Sequence, residues 1–356
     1  MTELVPKYIE KDRICQADTC GPFLQATKTG RIRFRGVKHG HYPGWSLSAR
    51  VMPELKTLGF FDAKFNQEWG TEWHYNEGIE VCLVENGRAT FCVEDGEYPL
   101  GPLDLSVTRP WQRHRLGNPF VTAVRLHWLV VDLGNRSPEE PWHWPPWILL
   151  TSPDCRELTD RLQALRSLVL HGDDLTLRCF QRVAAVMETG SPDGQTSLLA
   201  VLVNEVFVLL LQTLRRGGTE YQVPDVTGEE IVQLFWEELR SNPGALGHSW
   251  RLSDLARACG LGVTRFVDLT RRVTNLPPMQ FLNRCRLDLA AQLLVEKPWD
   301  SVTEVALTCG FGSGQQFANS FRRGFGVSPS LFRTVHGLPS ASGLCRRASF
   351  MASGPR

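Results

Sequence analysis

The sequence predicts a multidomain α+β protein. An N-terminal antiparallel β-barrel or sandwich is followed by central helices and then by an all-α region holding two helix-turn-helix units. Three observations carry this reading. Short runs of period-two alternation, broken by Gly, Pro, Asn and Asp, fill residues 32–133. Beyond Ser152 the apolar residues change to three- and four-residue spacing. Finally, the chain repeats itself fifty residues apart, Ala256-Arg-Ala-Cys-Gly-Leu261 against Ala306-Leu-Thr-Cys-Gly-Phe311.

A length of 356 residues exceeds one ordinary domain, and 42% hydrophobic with 22% charged residues is a globular composition. Lys plus Arg (39) nearly balance Asp plus Glu (38), for a net charge of +1. That balance excludes a polycationic tail binder but leaves room for a local basic face. Met1–Cys15 has no apolar core flanked by basic residues, so no secretory signal is expected. The ten cysteines form no C-x-x-C pair, which points to reduced thiols. Leu198–Leu214, the most apolar stretch, is interrupted by Asn204 and Glu205 and reads as too short and too polar for a membrane span. A cytoplasmic protein without membrane partners is expected.

The elements follow in order. Glu80–Val84 and Ala89–Val93 flank Glu85-Asn-Gly-Arg88, which reads as a hairpin turn because Asn-Gly accepts positive φ. Val121–Val131 continues the strand pattern. Residues 135–147, rich in Pro and Trp, cannot be helix interior and read as a packed connector closing a first domain at 1–147. Pro153–Leu170, Leu175–Met187 and Ser197–Arg215 are predicted helices within a segment at 148–216. The last is apolar on more than one side, so it buries its circumference either within the subunit or against a second copy. Gly217, Gly218 and Pro224 mark a linker at 217–227. An all-helical domain follows at 228–336, and residues 337–356 have a disordered composition.

Each repeat reads as helix, glycine turn, helix. Ser253 and Ser301 are the expected N-caps, while Gly260 and Gly310 supply the left-handed residue that ends the first helices. The second helices place Phe266 with Leu269, and Phe317 with Phe321, on the inner face. The outer face of copy one carries Thr264, Arg265, Asp268, Arg271 and Arg272. That of copy two carries Ser313, Gln315, Gln316, Asn319, Arg322 and Arg323. Gln and Asn can bond adenine bidentately, and Arg reads guanine or grips phosphate, so these faces are candidate readers of double-stranded DNA. Pro278–Glu296 between them predicts a rod of about 28 Å, comparable to a duplex turn of about 34 Å.

Residues 229–336 resemble the DNA-binding domain of AraC/XylS-type transcription regulators. The second unit carries the pattern as Val305-Ala306, Cys309-Gly-Phe311, Phe317, Phe321-Arg-Arg, Phe325-Gly-Val-Ser-Pro329 and Phe332-Arg333. Copy one departs from it: Gly262 replaces a capping Ser, Thr270 a Phe, and Asn275 a Gly. Val267 and Asp268 stand where polar or basic base-contacting residues are usual. The resemblance favours activation of transcription through contact with RNA polymerase, with repression by occupancy as the alternative, and a small-molecule effector and a homodimer are expected.

The β-rich region is similar to cupin-like sensors. Gly70, Glu72, His74, Glu80 and Gly87 approximate a first cupin motif, and Pro110 with His114 a second. Glu72, His74, Glu80 and His114 have the chemistry for a divalent metal, but the same positions can hydrogen-bond an organic ligand, and no cofactor is expected. Trp111 offers a face for a carbohydrate or related metabolite, with Arg109, Gln112 and His114 able to bond hydroxyls or a carboxylate. The other reading packs Trp111 into the barrel mouth. No nucleophile triad or phosphate loop is legible, so an enzyme is not expected. The rival readings are a metal-dependent cupin enzyme fused to a DNA-binding domain, and a DNA-binding protein that senses nothing.

Overall fold

Alternating apolar residues become two facing sheets in the computed structural model, which describes residues 7–10, 13–17, 20–94, 96–165, 168–189, 194–217 and 228–336. The expected tail, and the expected linker apart from Gly217, lie outside these residues. Contacts divide the chain into two compact units. One comprises Met1–Gln233 with Thr264–Pro277, and the other Leu234–Val263 with Pro278–Arg356. These limits group Thr264–Pro277, within the 228–336 domain expected from sequence, with the first unit.

In the first unit, β1 (Lys7–Glu10) pairs with β2 (Arg13–Gln16), and α1 (Gly21–Lys28) follows. The strands β3 (Arg33–Lys38), β4 (Trp45–Ser46), β5 (Leu55–Ala63), β6 (Gly78–Gly87), β7 (Ala89–Val93), β8 (Gly96–Leu100), β9 (Asp104–Thr108), β10 (His114–Leu116), β11 (Val124–Asp132) and β12 (Val169–His171) form two sheets. The larger runs β12-β9-β6-β11-β5-β3-β4 and the smaller β10-β7-β8. Glu85–Arg88 therefore does not close the expected hairpin; it carries the chain from one sheet to the other. Gly87 permits the crossing at φ +81°, and a Cβ there would lie 2.1 Å from the Ala123 carbonyl oxygen.

Side-chain alternation gives the large sheet two different faces. Phe61, Cys82, Leu126 and Trp128 turn toward the small sheet, whereas Phe60, Leu83, His127 and Leu129 turn the other way. The second face is covered by α2 (Ser152–Ala164), α3 (Asp174–Glu188) and α4 (Thr196–Arg215). Thr151 caps α2, and its oxygen accepts from the Asp154 amide. The helix stops at Ala164, well short of the expected Leu170, because Val169–His171 pairs with β9 instead. The Trp-rich connector packs as expected: Trp144 donates to Thr159 Oγ1 (2.9 Å) and meets Phe207 edge-on. By length and composition α4 is able to cross a bilayer, contrary to the sequence reading, yet most of it is buried in this core. Its Asn204 amide donates to Trp147 and Ala200 carbonyls, so the polar interruption ties the connector to the helix.

The repeats occupy α5 (Gly228–Ser241), α6 (Pro243–Gly247), α7 (Leu252–Ala258), α8 (Val263–Thr274), α9 (Pro278–Glu296), α10 (Val302–Thr308), α11 (Gly314–Phe325) and α12 (Pro329–His336). Both first helices end alike: Leu261 donates to Ala256 O at 2.9 Å and Phe311 to Ala306 O at 3.0 Å, with Gly260 at φ +66° and Gly310 at φ +80°. At Gly310 space matters too, since a Cβ would sit 2.5 Å from the Gly247 carbonyl oxygen. Their starts differ. Ser301 forms a full capping box with Glu304. Ser253 lies inside α7, whose N-cap is Arg251 without a side-chain bond, correcting the expected cap. Around α11 a phenylalanine cluster sets the core, with Phe317 5.1 Å from Phe311 and 5.4 Å from Phe321 between ring centres.

Candidate nucleic-acid interface and β-domain cavity

Helical periodicity separates the two faces of α11. Phe317 and Phe321 are fully buried, so Gln315, Gln316, Asn319, Arg322 and Arg323 stand on the exposed side. Gln315, Asn319 and Arg322 follow i, i+4, i+7 spacing and line one stripe. Ser313 is engaged differently: its hydroxyl accepts from the Gln316 amide at 3.2 Å and caps the helix. It fixes the helix start rather than standing free on the outer face. Arg323 leans back on the Asn319 carbonyl at 3.4 Å.

On α8, Phe266 and Leu269 are buried, and Thr264, Arg265, Asp268 and Arg271 are exposed. Arg272 is half-buried and ion-paired with Glu229 at 3.0 Å. Its charge is thus held by protein, which sets it apart from the exposed Arg323 at the matching place. Asn275, in the left-handed region at φ +57°, ends the helix where the family pattern has Gly. Its backbone amide donates to Arg271 O at 2.8 Å.

Between the two sheets lies a cavity of about 100 Å³. Phe23, Phe61, Phe91, Leu126, Trp128 and Val130 supply apolar walls, while His74, Asn76, Glu80, His114 and Tyr42 gather polar groups. His114 Nδ1 faces the Gln112 carbonyl at 2.8 Å, and its Nε2 lies 2.8 Å from Glu80 Oε2. Both ring nitrogens thus meet oxygen acceptors, which requires a proton on each nitrogen or one on Glu80. Burial alone would raise the Glu80 carboxyl. The hydrogen bond and charge of His114, with the charge of His74, outweigh that and bring it below the usual value. Tyr42 Oη lies 2.8 Å from Glu77 Oε2 and 3.1 Å from Asn76 Oδ1. Burial, then Glu77, pushes its phenol well above normal.

Of the residues expected to hold a ligand, His74, Glu80 and His114 line the cavity, and Glu72, Arg109, Trp111 and Gln112 do not. Glu72 is exposed, and its backbone carbonyl meets His74 Nδ1 at 2.7 Å. Trp111 is buried with its indole N–H on the Asn135 carbonyl at 3.2 Å, which is the packed-turn alternative. Arg109 turns to Gln112 Oε1 and the Gln163 carbonyl. Among the described residues no group of three or more His, Cys, Asp or Glu side chains is arranged to hold a metal ion. The aromatic walls escaped the sequence reading because Phe23, Phe61, Phe91 and Trp128 come from four separate elements.

Comparison with known proteins agrees with both halves. Residues 255–334 match a helix-turn-helix domain family and residues 63–131 a cupin domain family. The chain is 30% identical over 280 residues to the virulence regulon transcriptional activator VirF of Yersinia enterocolitica, covering 72% of this chain and 96% of that protein. It is 44% identical over 270 residues to the HTH-type transcriptional activator RhaS of Klebsiella pneumoniae, covering 72% and 85%. Against the HTH-type transcriptional regulator ExsA of Pseudomonas aeruginosa it is 36% identical over 173 residues, covering 48% and 52%. With a cupin domain before a double helix-turn-helix and this similarity along most of its length, the chain belongs to the AraC/XylS-type DNA-binding transcription regulators.

Proposed function

We propose that the chain is a cytoplasmic, sequence-specific transcription activator whose hold on DNA is set by a small molecule in the β-domain cavity. The observation that carries the DNA half is the exposed stripe Gln315–Asn319–Arg322, opposite a buried Phe317–Phe321 seam. Gln315 and Asn319 read base edges, and Arg322 grips phosphate. Relatives named as activators favour activation through RNA polymerase over repression by occupancy. A homodimer is supported by the exposed Leu198, Val201 and Val208 along α4, which give an otherwise buried helix a second apolar stripe.

The cavity walls narrow the ligand class. A polyhydroxylated sugar would leave hydroxyls unbonded against Phe23, Phe61, Phe91 and Leu126, at a cost of about 1–3 kcal/mol for each unpaired group. A small apolar or aromatic body with one hydrogen-bonding end meeting Asn76, Glu80 and His114 fits better. The ligand acts by binding one arrangement of the protein more tightly than another.

The test is selection of genomic fragments by the full-length chain at moderate salt, with affinity followed against salt and thermal shifts measured across a panel of small aromatic and sugar compounds. Discrete fragments, affinity falling steeply with salt and shifts from aromatic compounds are expected. A flat salt response would contradict the basic-face assignment. Shifts confined to sugars would overturn the ligand class.

A further inference from the structure

The residue that breaks the family pattern at the end of the first reader helix is also tied to the β-domain. Asn275 is 4% exposed. Its side-chain N–H₂ donates to Asp62 Oδ1 at 2.8 Å and to the Ala63 carbonyl at 3.0 Å, the last two residues of β5. Asp62 is held in turn by Lys64 Nζ at 2.8 Å and by Arg125 at 3.5 Å. Arg125 Nε continues to Glu85 Oε2 at 2.8 Å, and the same oxygen meets His127 Nε2 at 2.6 Å. A polar relay therefore crosses β5, β11 and β6 on one face of the large sheet and ends on the turn after α8. All its members lie within one compact unit.

Strand alternation connects this relay to the cavity. Phe61 lines the cavity, and Asp62 is the next residue on the opposite face. Likewise Leu126 lines it between Arg125 and His127. A ligand that shifts β5 or β11 must move the groups that hold Asn275. A glycine at this position would satisfy the positive φ at no steric cost, but it would offer no amide to Asp62. The ion pair of Arg272 with Glu229 adds to the restraint by withholding a cation from phosphate.

We propose that Asn275 is a latch that fastens the first reader helix to the sheet lining the cavity, and that the latched state restrains DNA binding by that helix. The proposal rests on the ligand-controlled reading above. Because DNA must compete with the latch, releasing it raises affinity.

The test uses the full-length chain carrying Asn275→Gly, Asn275→Asp, Asp62→Asn, and the pair N275D/D62N. Hydrogen exchange in segment 264–277 and affinity for a genomic fragment selected by the wild-type chain are measured for each. Asn275→Gly keeps the turn and removes only the amide, so exchange should quicken at least tenfold and affinity rise about three- to tenfold. Asn275→Asp sets a carboxylate against Asp62 and should loosen the segment further. The N275D/D62N pair restores a donor and an acceptor between residues 275 and 62 but leaves the Ala63 carbonyl without its donor, so its exchange should be slower than that of Asn275→Asp and faster than wild type. Unchanged exchange in Asn275→Gly, or a pair that exchanges no more slowly than Asn275→Asp, would overturn the latch. Faster exchange with unchanged or weaker binding would overturn the restraint. Exchange involves neither DNA nor ligand, so these results stand apart from failure of the wild-type chain to select any fragment, which would defeat the functional reading instead. Melting of each variant checks that it folds.

Discussion

The two helix-turn-helix copies share an ending and differ in how they are held. Gly260 and Gly310 close the first helices with matching hydrogen bonds, and Phe266 and Phe317 are equally buried. Copy two adds a capping box at Ser301, a capping serine at Ser313 and an exposed Gln–Asn–Arg stripe. Copy one has neither serine cap. It carries Asp268 on its outer face, commits Arg272 to Glu229, and turns Asn275 toward Asp62. The core anchors and glycine turns are thus the shared frame, and the outer-face side chains are what differ. On the proposed reading, copy two supplies the base-reading stripe and copy one is the helix restrained by the β-domain.

The largest effects should come where the copies agree. Phe317→Ala and Phe266→Ala should each cost about 3–5 kcal/mol by denaturant titration, because both remove a fully buried ring. Unchanged unfolding of either variant would show that its helix is turned differently.

Next comes the carboxylate beside the latch. Burial would raise Glu85, but His127 and Arg125 outweigh it and hold its pKa at about 2. A carboxyl depressed on folding adds stability that is fully present above its unfolded value of about 4.5 and is lost as pH falls through 2. Burial lowers the His127 pKa despite Glu85, so acid also works against its neutral ring. Glu85→Gln should therefore cost about 3 kcal/mol near neutral pH and flatten the stability profile between pH 4.5 and 2. An unaltered profile would remove Glu85 from the relay.

Base reading should separate the copies. Gln315→Ala or Asn319→Ala should cost about 1–3 kcal/mol on selected DNA and relax preference at particular bases. Asp268→Ala should strengthen binding to selected and random DNA alike by removing a charge that repels phosphate. Equal losses from all three would abolish the distinction. The smallest effect is in capping: Ser301→Ala should cost about 1 kcal/mol, whereas Ser253→Ala should change melting within about 0.5 kcal/mol.

Local features of the fold were legible in the sequence. The repeat, the two glycine turns, the 19-residue α9 and the buried phenylalanines follow from spacing and conformational preference, which act over a few residues. Features that depend on distant partners were not. The Asn-Gly segment at 86–87 predicts a hairpin, yet strand pairing sends β6 and β7 into different sheets. Leu168–Leu170 suits a helix as well as a strand, and β9 decides between them. At the cavity, the cupin-like spacing found His74, Glu80 and His114. Arg109, Trp111 and Gln112 suggested ligand chemistry but serve the turn beside it. The departure at Asn275 was visible as a missing glycine, but its partners on β5 lie more than two hundred residues away.

Footprinting on a selected genomic site, with the wild-type chain, Asn319→Ala and Asp268→Ala side by side, tests the division between the copies most directly. Wild-type protection is expected across two adjacent major grooves. Asn319→Ala should lose it on one side, and Asp268→Ala should keep it with tighter binding. Protection of a single groove even when Asn275→Gly releases the latch, or loss of the same side in both variants, would contradict it.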